Sequence, residues 1–123
     1  MSVDPKNDRR QYVRIPYEHI LNWKIFHQDK SVEGAKDIFV KSGDLSIGGM
    51  KVTSLETFES GSVLGLRVRI PDQAEPLTIY AEVIRSEKTD QGMIETALKF
   101  QQMTEHDTSS IEQLVKSFSG SQS

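Results

Sequence analysis

Three arginines near the start of the chain have the types and spacing of an anion-binding site. Arg10 and Arg14 are four residues apart, so their side chains share one side of either an extended or a helical segment, and Arg9 adds a third guanidinium. A guanidinium group is planar, permanently charged and forked, which suits bidentate bonding to phosphate and stacking on a base. It also matches the O6/N7 edge of guanine. The segment therefore predicts a site for phosphate and guanine.

A second polar cluster, Asp44-Leu45-Ser46-Ile47-Gly48-Gly49, contains groups complementary to guanine's remaining edge. Asp44 supplies a carboxylate that only accepts hydrogen bonds, whereas the Ser46 hydroxyl both donates and accepts. In an extended backbone these two side chains point the same way. The paired glycines permit positive φ and close approach of another molecule. Alone, the cluster is more typical of a polar hairpin turn than of a binding site.

Period-two alternation of apolar residues predicts six short strands to hold these clusters. The strands are predicted at Leu21–Ile25, Lys36–Lys41, Gly49–Ser54, Leu64–Ile70, Leu77–Val83 and Ile94–Phe100. Because the connections are turn-sized, we expect an all-β fold, a six-stranded antiparallel β-barrel of the split-barrel type that closes or nearly closes. The first cluster then precedes strand one, and the second lies between strands two and three.

One helix is predicted at the C-terminal end of the chain. Its apolar stripe consists of Ile111, Leu114, Val115 and Phe118, at helical spacing. The N-cap is predicted within Asp107–Ser110, with Ser109 and Glu112 as a capping box, and Gly120 as the stop. The helix should cover one mouth or side of the barrel. The predicted domain spans residues 9–118, between flexible tails at 1–8 and 119–123.

Composition excludes several classes of function. The chain has 123 residues, no cysteine and a net charge of −3, so it predicts one globular domain without disulfides or thiolate metal ligands. The charged N-terminal segment lacks the apolar core of a secretory signal, and no apolar run reaches the length of a membrane span. We therefore expect a cytoplasmic protein that neither inserts into membranes nor binds DNA or RNA indiscriminately.

Both clusters match the motifs of a known family. Arg10-Gln11-Tyr12-Val13-Arg14 resembles the Arg-x-x-x-Arg motif of the PilZ domain family, and Asp44-Leu45-Ser46-Ile47-Gly48-Gly49 resembles its Asp/Asn-x-Ser-x-x-Gly motif. The resemblance extends from about Arg9 to Phe118 and implies a six-stranded barrel that binds cyclic di-GMP. The binding residues it implies are Arg10, Arg14, Asp44, Ser46 and Gly49.

The resemblance has further implications for the ligand and for signalling. Arg9, just before the first motif arginine, implies a second, intercalated cyclic di-GMP molecule. The segment Met1–Arg14 should be mobile when free and wrap over the bound nucleotide, so that a downstream protein partner meets a changed surface. Such partners would belong to the control of motility, adhesion, exopolysaccharide or virulence in a bacterium. Ala97 occupies a position where family members often have glycine, and it is expected to touch neither motif.

Other functions are considered beside this one. A PilZ-like adaptor would act through protein contacts without nucleotide, and a single-stranded nucleic-acid binder would show steep salt dependence. An enzyme is not expected, because Ser46 has no evident His–acid pair and the three histidines lack metal-ligand spacing. We expect no cofactor and no metal. Arg85, near the end of predicted strand five, is a further candidate for ligand contact.

Overall fold

The chain forms one curved antiparallel sheet with two helices. The structure, a computed structural model, describes residues 12–27, 38 and 40–120. In chain order the elements are β1 (Val13–Arg14), α1 (Tyr17–Ile20), β2 (Lys24–His27), β3 (Val40–Leu45), β4 (Gly49–Ser54), β5 (Val63–Val68), β6 (Leu77–Lys88), β7 (Ile94–Gln101) and α2 (Glu105–Gly120).

The sheet has seven strands in the order β1-β3-β4-β7-β6-β5-β2, so the prediction of six strands was wrong. The additional strand is β1, two residues long, which pairs antiparallel with β3. Two residues are too few to show alternation, and this strand forms because β3 provides its hydrogen-bonding partners. The order begins at β1 and ends at β2. The Ile38 N–H, ahead of β3, donates to the Ile25 carbonyl of β2 at 3.1 Å. The fold is a half-barrel rather than a closed ladder.

Alternation correctly predicted the longer strands. β4 has the predicted bounds, and β6 buries Leu77, Ile79, Ala81 and Val83, as predicted. β6 continues to Lys88 past a register shift between Val83 and Arg85, where one extra residue breaks the period. Burial of these apolar side chains, at about 25 cal/mol per Å² of apolar surface, is the main force that holds the sheet in its curved form.

The predicted first strand begins too early. Tyr17–Ile20 forms a short helix whose N-cap is Pro16, with φ −57° and ψ 142°, and the strand starts only at Lys24. Within the predicted strand Leu21–Ile25, Trp23 is buried, but Leu21 is 61% exposed. The proline has the fixed φ of a helix start, so the chain turns here before it joins the sheet. Half of the predicted second strand, residues 36, 37 and 39, lies outside the described residues, and β3 begins at Val40 and extends to Leu45.

Helix α2 covers the core with the predicted stripe. Ile111, Leu114 and Phe118 are buried, and Val115 packs against the same core. The helix contacts β1, and the Phe118 ring lies 5.2 Å from the ring of His19 in α1. Among the described residues, no helix is long and apolar enough to cross a bilayer.

The capping box predicted at Ser109 and Glu112 was wrong. The N–H of Asp107 donates to the Thr104 hydroxyl at 3.0 Å, and the N–H of Thr104 donates to the Asp107 carboxylate at 3.1 Å. This is a reciprocal box with aspartate in place of glutamate, five residues earlier than predicted. The helix runs to Gly120 and includes two residues of the predicted tail, whereas tail residues 1–8 and 121–123 lie outside the described residues.

Candidate nucleotide site

The β1–β3 ladder brings the two sequence motifs together. Arg14 lies opposite Asp44 and Val13 opposite Leu45, and the Ile15 N–H donates to the Gly43 carbonyl at 2.9 Å. The clusters are thirty residues apart in sequence, yet the sheet places one residue of each side by side. This adjacency was expected from the resemblance, but the pairing partner was not evident from either motif alone.

The side chains of Arg14 and Asp44 form an ion pair. Arg14 Nε lies 2.6 Å from Asp44 Oδ1, and the side chains are 62% and 27% exposed. Val13 and Ile15, on either side of Arg14, are buried at 8% and 3% exposure. Because side chains alternate along a strand, anchoring these two apolar residues turns the guanidinium outward. The pair is therefore accessible to a ligand on the outer face of the sheet.

Ser46 is tied to the backbone of its own turn. Its N–H donates to the Gly49 carbonyl at 2.9 Å, its hydroxyl lies 3.1 Å from the same oxygen, and the hydroxyl also accepts from the Gly49 N–H at 3.1 Å. Ser46 is 4% exposed, so this hydroxyl is not presented beside the Asp44 carboxylate as the two-residue spacing predicted. In the structure, Ser46 shapes the turn. Its contact with a ligand stays a prediction.

Gly49 is required by the neighbouring strand. A β-carbon placed on Gly49 would overlap the carbonyl oxygen of Leu98 in β7, whereas one on Gly48 would meet nothing within 4 Å. Neither residue has positive φ. The paired glycines therefore do not use the left-handed conformation that the sequence would have permitted. The Gly48 carbonyl accepts from the Phe100 N–H at 3.0 Å, which also fixes the turn to β7. The turn is rigid because two strands hold it.

The register extends the site across the sheet. Asp44 lies opposite Lys51, Lys51 opposite Ala97, and Ala97 opposite Arg85, so these residues form one outer row with Arg14. We call this set the outer row. Ala97 lies in the same row, beside Lys51 and two strands away from Asp44.

Lys51 was missed by the sequence analysis. Its Nζ lies 4.5 Å from the centroid of the Tyr12 ring. The signal was available, because Gly49 and Lys51 are two apart in a strand and so share a face. What sequence could not supply was the register that places this face beside Asp44.

The other candidates lie away from the ion pair or outside the described residues. Arg9 and Arg10 belong to the part of the chain that is not described, so their positions stay predictions. Arg85 Nε is 3.7 Å from Glu87 Oε1, and both side chains are more than half exposed. Three strand spacings of about 4.8 Å separate Arg85 from Asp44 in the row, roughly 14 Å. A ligand must span that distance to touch both.

The described groups of the site are suited to ligand binding. The Ser46 hydroxyl is hydrogen-bonded to the Gly49 backbone. Among the described residues, the contact between a histidine and a carboxylate joins His27 to Glu56, which lies beyond the opposite end of β4. No three acidic or histidine side chains in the described ranges are placed to hold a metal ion. A guanidinium, a carboxylate and an ammonium on an open sheet face can recognise an anion that carries hydrogen-bond donors.

Comparisons with known proteins agree with this geometry. Residues 8–117 match the model of the PilZ domain family. The structure of the Bacillus subtilis inhibitor of motility (MotI/DgrA) has a TM-score of 0.65 at 20% identity, and the match covers 98% of this chain and 57% of that one. The PilZ domain with c-di-GMP of YcgR from Escherichia coli has a TM-score of 0.60 at 12% identity, with 92% of each chain covered.

These TM-scores show a shared fold. The chain spans just over half the length of the B. subtilis structure, so that whole protein has a part with no counterpart in the match. The comparison with curated protein sequences gave no significant match.

Proposed function

This chain belongs to the PilZ domain family, and we propose that it is a receptor for cyclic di-GMP that acts on a downstream protein. The observation that carries the proposal is the Arg14–Asp44 contact, in which one residue of each motif meets on an exposed sheet face. The family is one of cyclic di-GMP receptors, and its domains are binding modules. Receptor action without catalysis is therefore the proposed activity.

The chemistry of the ligand fits the groups in the site. A cyclic dinucleotide of guanine presents phosphates for guanidinium groups and, on each base, both an acceptor edge and a donor edge. In the proposal Arg14 bonds the O6/N7 edge or a phosphate, and Asp44 accepts from the N1–H and amine edge. Ser46 and Gly49 hold the turn in place against β7, which keeps the carboxylate in a fixed position.

The N-terminal segment supplies the moving part of the proposed receptor. Arg10 precedes Arg14 by four residues and Arg9 by five, so guanidinium groups from this segment can reach a ligand already bound at Arg14. Ordering of Met1–Arg14 over the nucleotide would change the surface offered to a partner. Arg9 would hold a second, intercalated nucleotide, which gives a stoichiometry of two.

A partner protein is part of the proposal. The B. subtilis neighbour is named for inhibition of motility, and the E. coli neighbour was solved with c-di-GMP. On this chain, Tyr17 and Leu21 expose 55% and 61% of their surfaces one helical turn apart beside α1. Exposed apolar side chains this close to β1 support the second candidate, an adaptor that binds its partner without nucleotide.

Isothermal titration calorimetry with cyclic di-GMP, cyclic di-AMP and GMP tests the proposal. We expect saturable binding of cyclic di-GMP alone, with one or two molecules per chain. Binding of the adenine analogue would point to charge rather than guanine recognition. No heat with any of them, from protein whose fold is confirmed by circular dichroism, would leave the adaptor as the remaining candidate.

A further inference from the structure

Lys51 lies outside both motifs, yet it belongs to the outer row and lies opposite Asp44. Its Nζ is 4.5 Å from the centroid of the Tyr12 ring. Tyr12 immediately precedes β1, Lys51 belongs to β4, and β3 lies between these strands. The lysine side chain therefore crosses over β3, the strand that carries Asp44.

Among the described residues of the outer row, Lys51 carries a positive charge without an ion-pair partner. Arg14 and Asp44 carry opposite charges and contact each other, so together they add no net charge. In the described part of the chain Lys51 makes no ion pair, and its ammonium group lies over the face of the Tyr12 ring. An anion that approaches the outer row is therefore attracted first by the ammonium group of Lys51.

We propose that Lys51 and Tyr12 are further ligand-binding residues: the ammonium bonds a phosphate of the nucleotide, and the ring that it leaves stacks on a guanine base. This inference rests on the proposed function and names residues that the motifs do not include. A cation over an exposed ring is a weak contact, and a charge-assisted bond to phosphate is stronger. The exchange is therefore favourable when the ligand arrives.

The same exchange explains why a nucleotide suits the site better than a simple anion. Tyr12 is 37% exposed, and the ammonium lies over one face of its ring. Inorganic phosphate could draw Lys51 away but would leave that ring face open to water. A ligand with both a phosphate and a base replaces both halves of the contact, because any base has a π-face that stacks on an aromatic ring.

Calorimetry on single-residue variants tests the inference. Lys51→Met keeps the apolar stem and removes the charge, so we expect about 10-fold weaker binding of cyclic di-GMP, with Lys51→Arg within about threefold of wild type. Tyr12→Leu removes the ring and should weaken binding by about fivefold or more, whereas Tyr12→Phe should not. Lys88→Met, an exposed lysine at the far end of β6, is the matched control and should bind as wild type.

The salt dependence of the affinity distinguishes a phosphate contact of Lys51 from a purely structural role of this residue. The affinity of Lys51→Met should fall less steeply between low and high salt than that of wild type, because one phosphate contact is lost. If wild type binds, Arg14→Ala does not, and both Lys51→Met and Tyr12→Leu bind as tightly as wild type, then this inference is wrong and the proposed function stands. If folded wild type shows no binding at all, both are wrong.

Discussion

Arg14 and Asp44 lie opposite each other in the β1–β3 ladder, and their side chains meet at 2.6 Å. The two motif residues that should bind a guanine nucleotide therefore contact each other. A ligand must separate or bridge this pair. The contact keeps both groups oriented on the outer face, and it makes the two-residue strand β1 a part of the site.

Asp44→Asn should separate binding from stability. The ion pair is largely exposed, and such pairs contribute about 0–1 kcal/mol to folding, so the free energy of unfolding should fall by less than about 1 kcal/mol. A hydrogen bond to a charged group is worth about 1.5–3 kcal/mol, so affinity for cyclic di-GMP should fall on the order of 10- to 100-fold. Urea unfolding and calorimetry measure the two effects. Asp90→Asn, in the exposed β6–β7 turn, should change neither, and equal affinity of both variants would remove Asp44 from the site.

Ser46→Ala should destabilise the fold. The substitution removes the acceptor of the Gly49 N–H inside a buried turn, and an unpaired buried donor costs about 1–3 kcal/mol. Chemical denaturation of the variant, beside Ser42→Ala on the same hairpin as a control, measures the loss. If Ser46→Ala unfolds at the same denaturant concentration as wild type but fails to bind nucleotide, the hydroxyl contacts ligand rather than shaping the turn.

The two adjacent glycines should respond differently to alanine. Gly49→Ala forces a methyl group against the Leu98 carbonyl and should cost about 1–3 kcal/mol, as overpacking does in tightly packed regions. Gly48→Ala has open space and no left-handed φ, so its stability should be unchanged or slightly higher. Thermal unfolding of both variants decides the matter. Equal melting temperatures would mean that β4 and β7 can separate at this point without cost.

Thr104→Ala should weaken helix α2 by about 1 kcal/mol, because it removes the hydroxyl that accepts from Asp107. Ser109→Ala is the matched control, since Ser109 is an exposed residue within the helix and alanine is the better helix former. Thr104→Ala should therefore unfold at a lower denaturant concentration than Ser109→Ala. The reverse order would place the N-cap where the sequence alone suggested.

The alternating strands and the helical stripe could be predicted because each carries its own period. β4 was predicted to the residue, since glycine bounds it on one side and alternation runs through Ser54. β1 could not be predicted, because two residues show no period and its existence depends on pairing with β3. The far end of β6 was missed because an extra residue at its bulge interrupts the alternation.

The sequence predicted which residues form the candidate site but not how they are arranged. The motifs identified Arg14 and Asp44, but only the ladder shows that they meet. Spacing predicted that Ser46 would lie beside Asp44, whereas hydrogen bonds to Gly49 draw its hydroxyl into the turn. Lys51 was missed because its relevance comes from register across strands, and register is a long-range property that one strand's sequence does not contain.

The most direct test of the central claim is calorimetric titration of cyclic di-GMP into wild type, Arg14→Ala and Arg69→Ala. Arg69 is an exposed arginine just beyond β5 and serves as the matched control. We predict saturable heat for wild type and Arg69→Ala, and at least about 10-fold weaker binding for Arg14→Ala, because a charged hydrogen bond is lost. Equal affinity for all three proteins, each shown to be folded, would contradict the claim that the Arg14–Asp44 pair forms the nucleotide site.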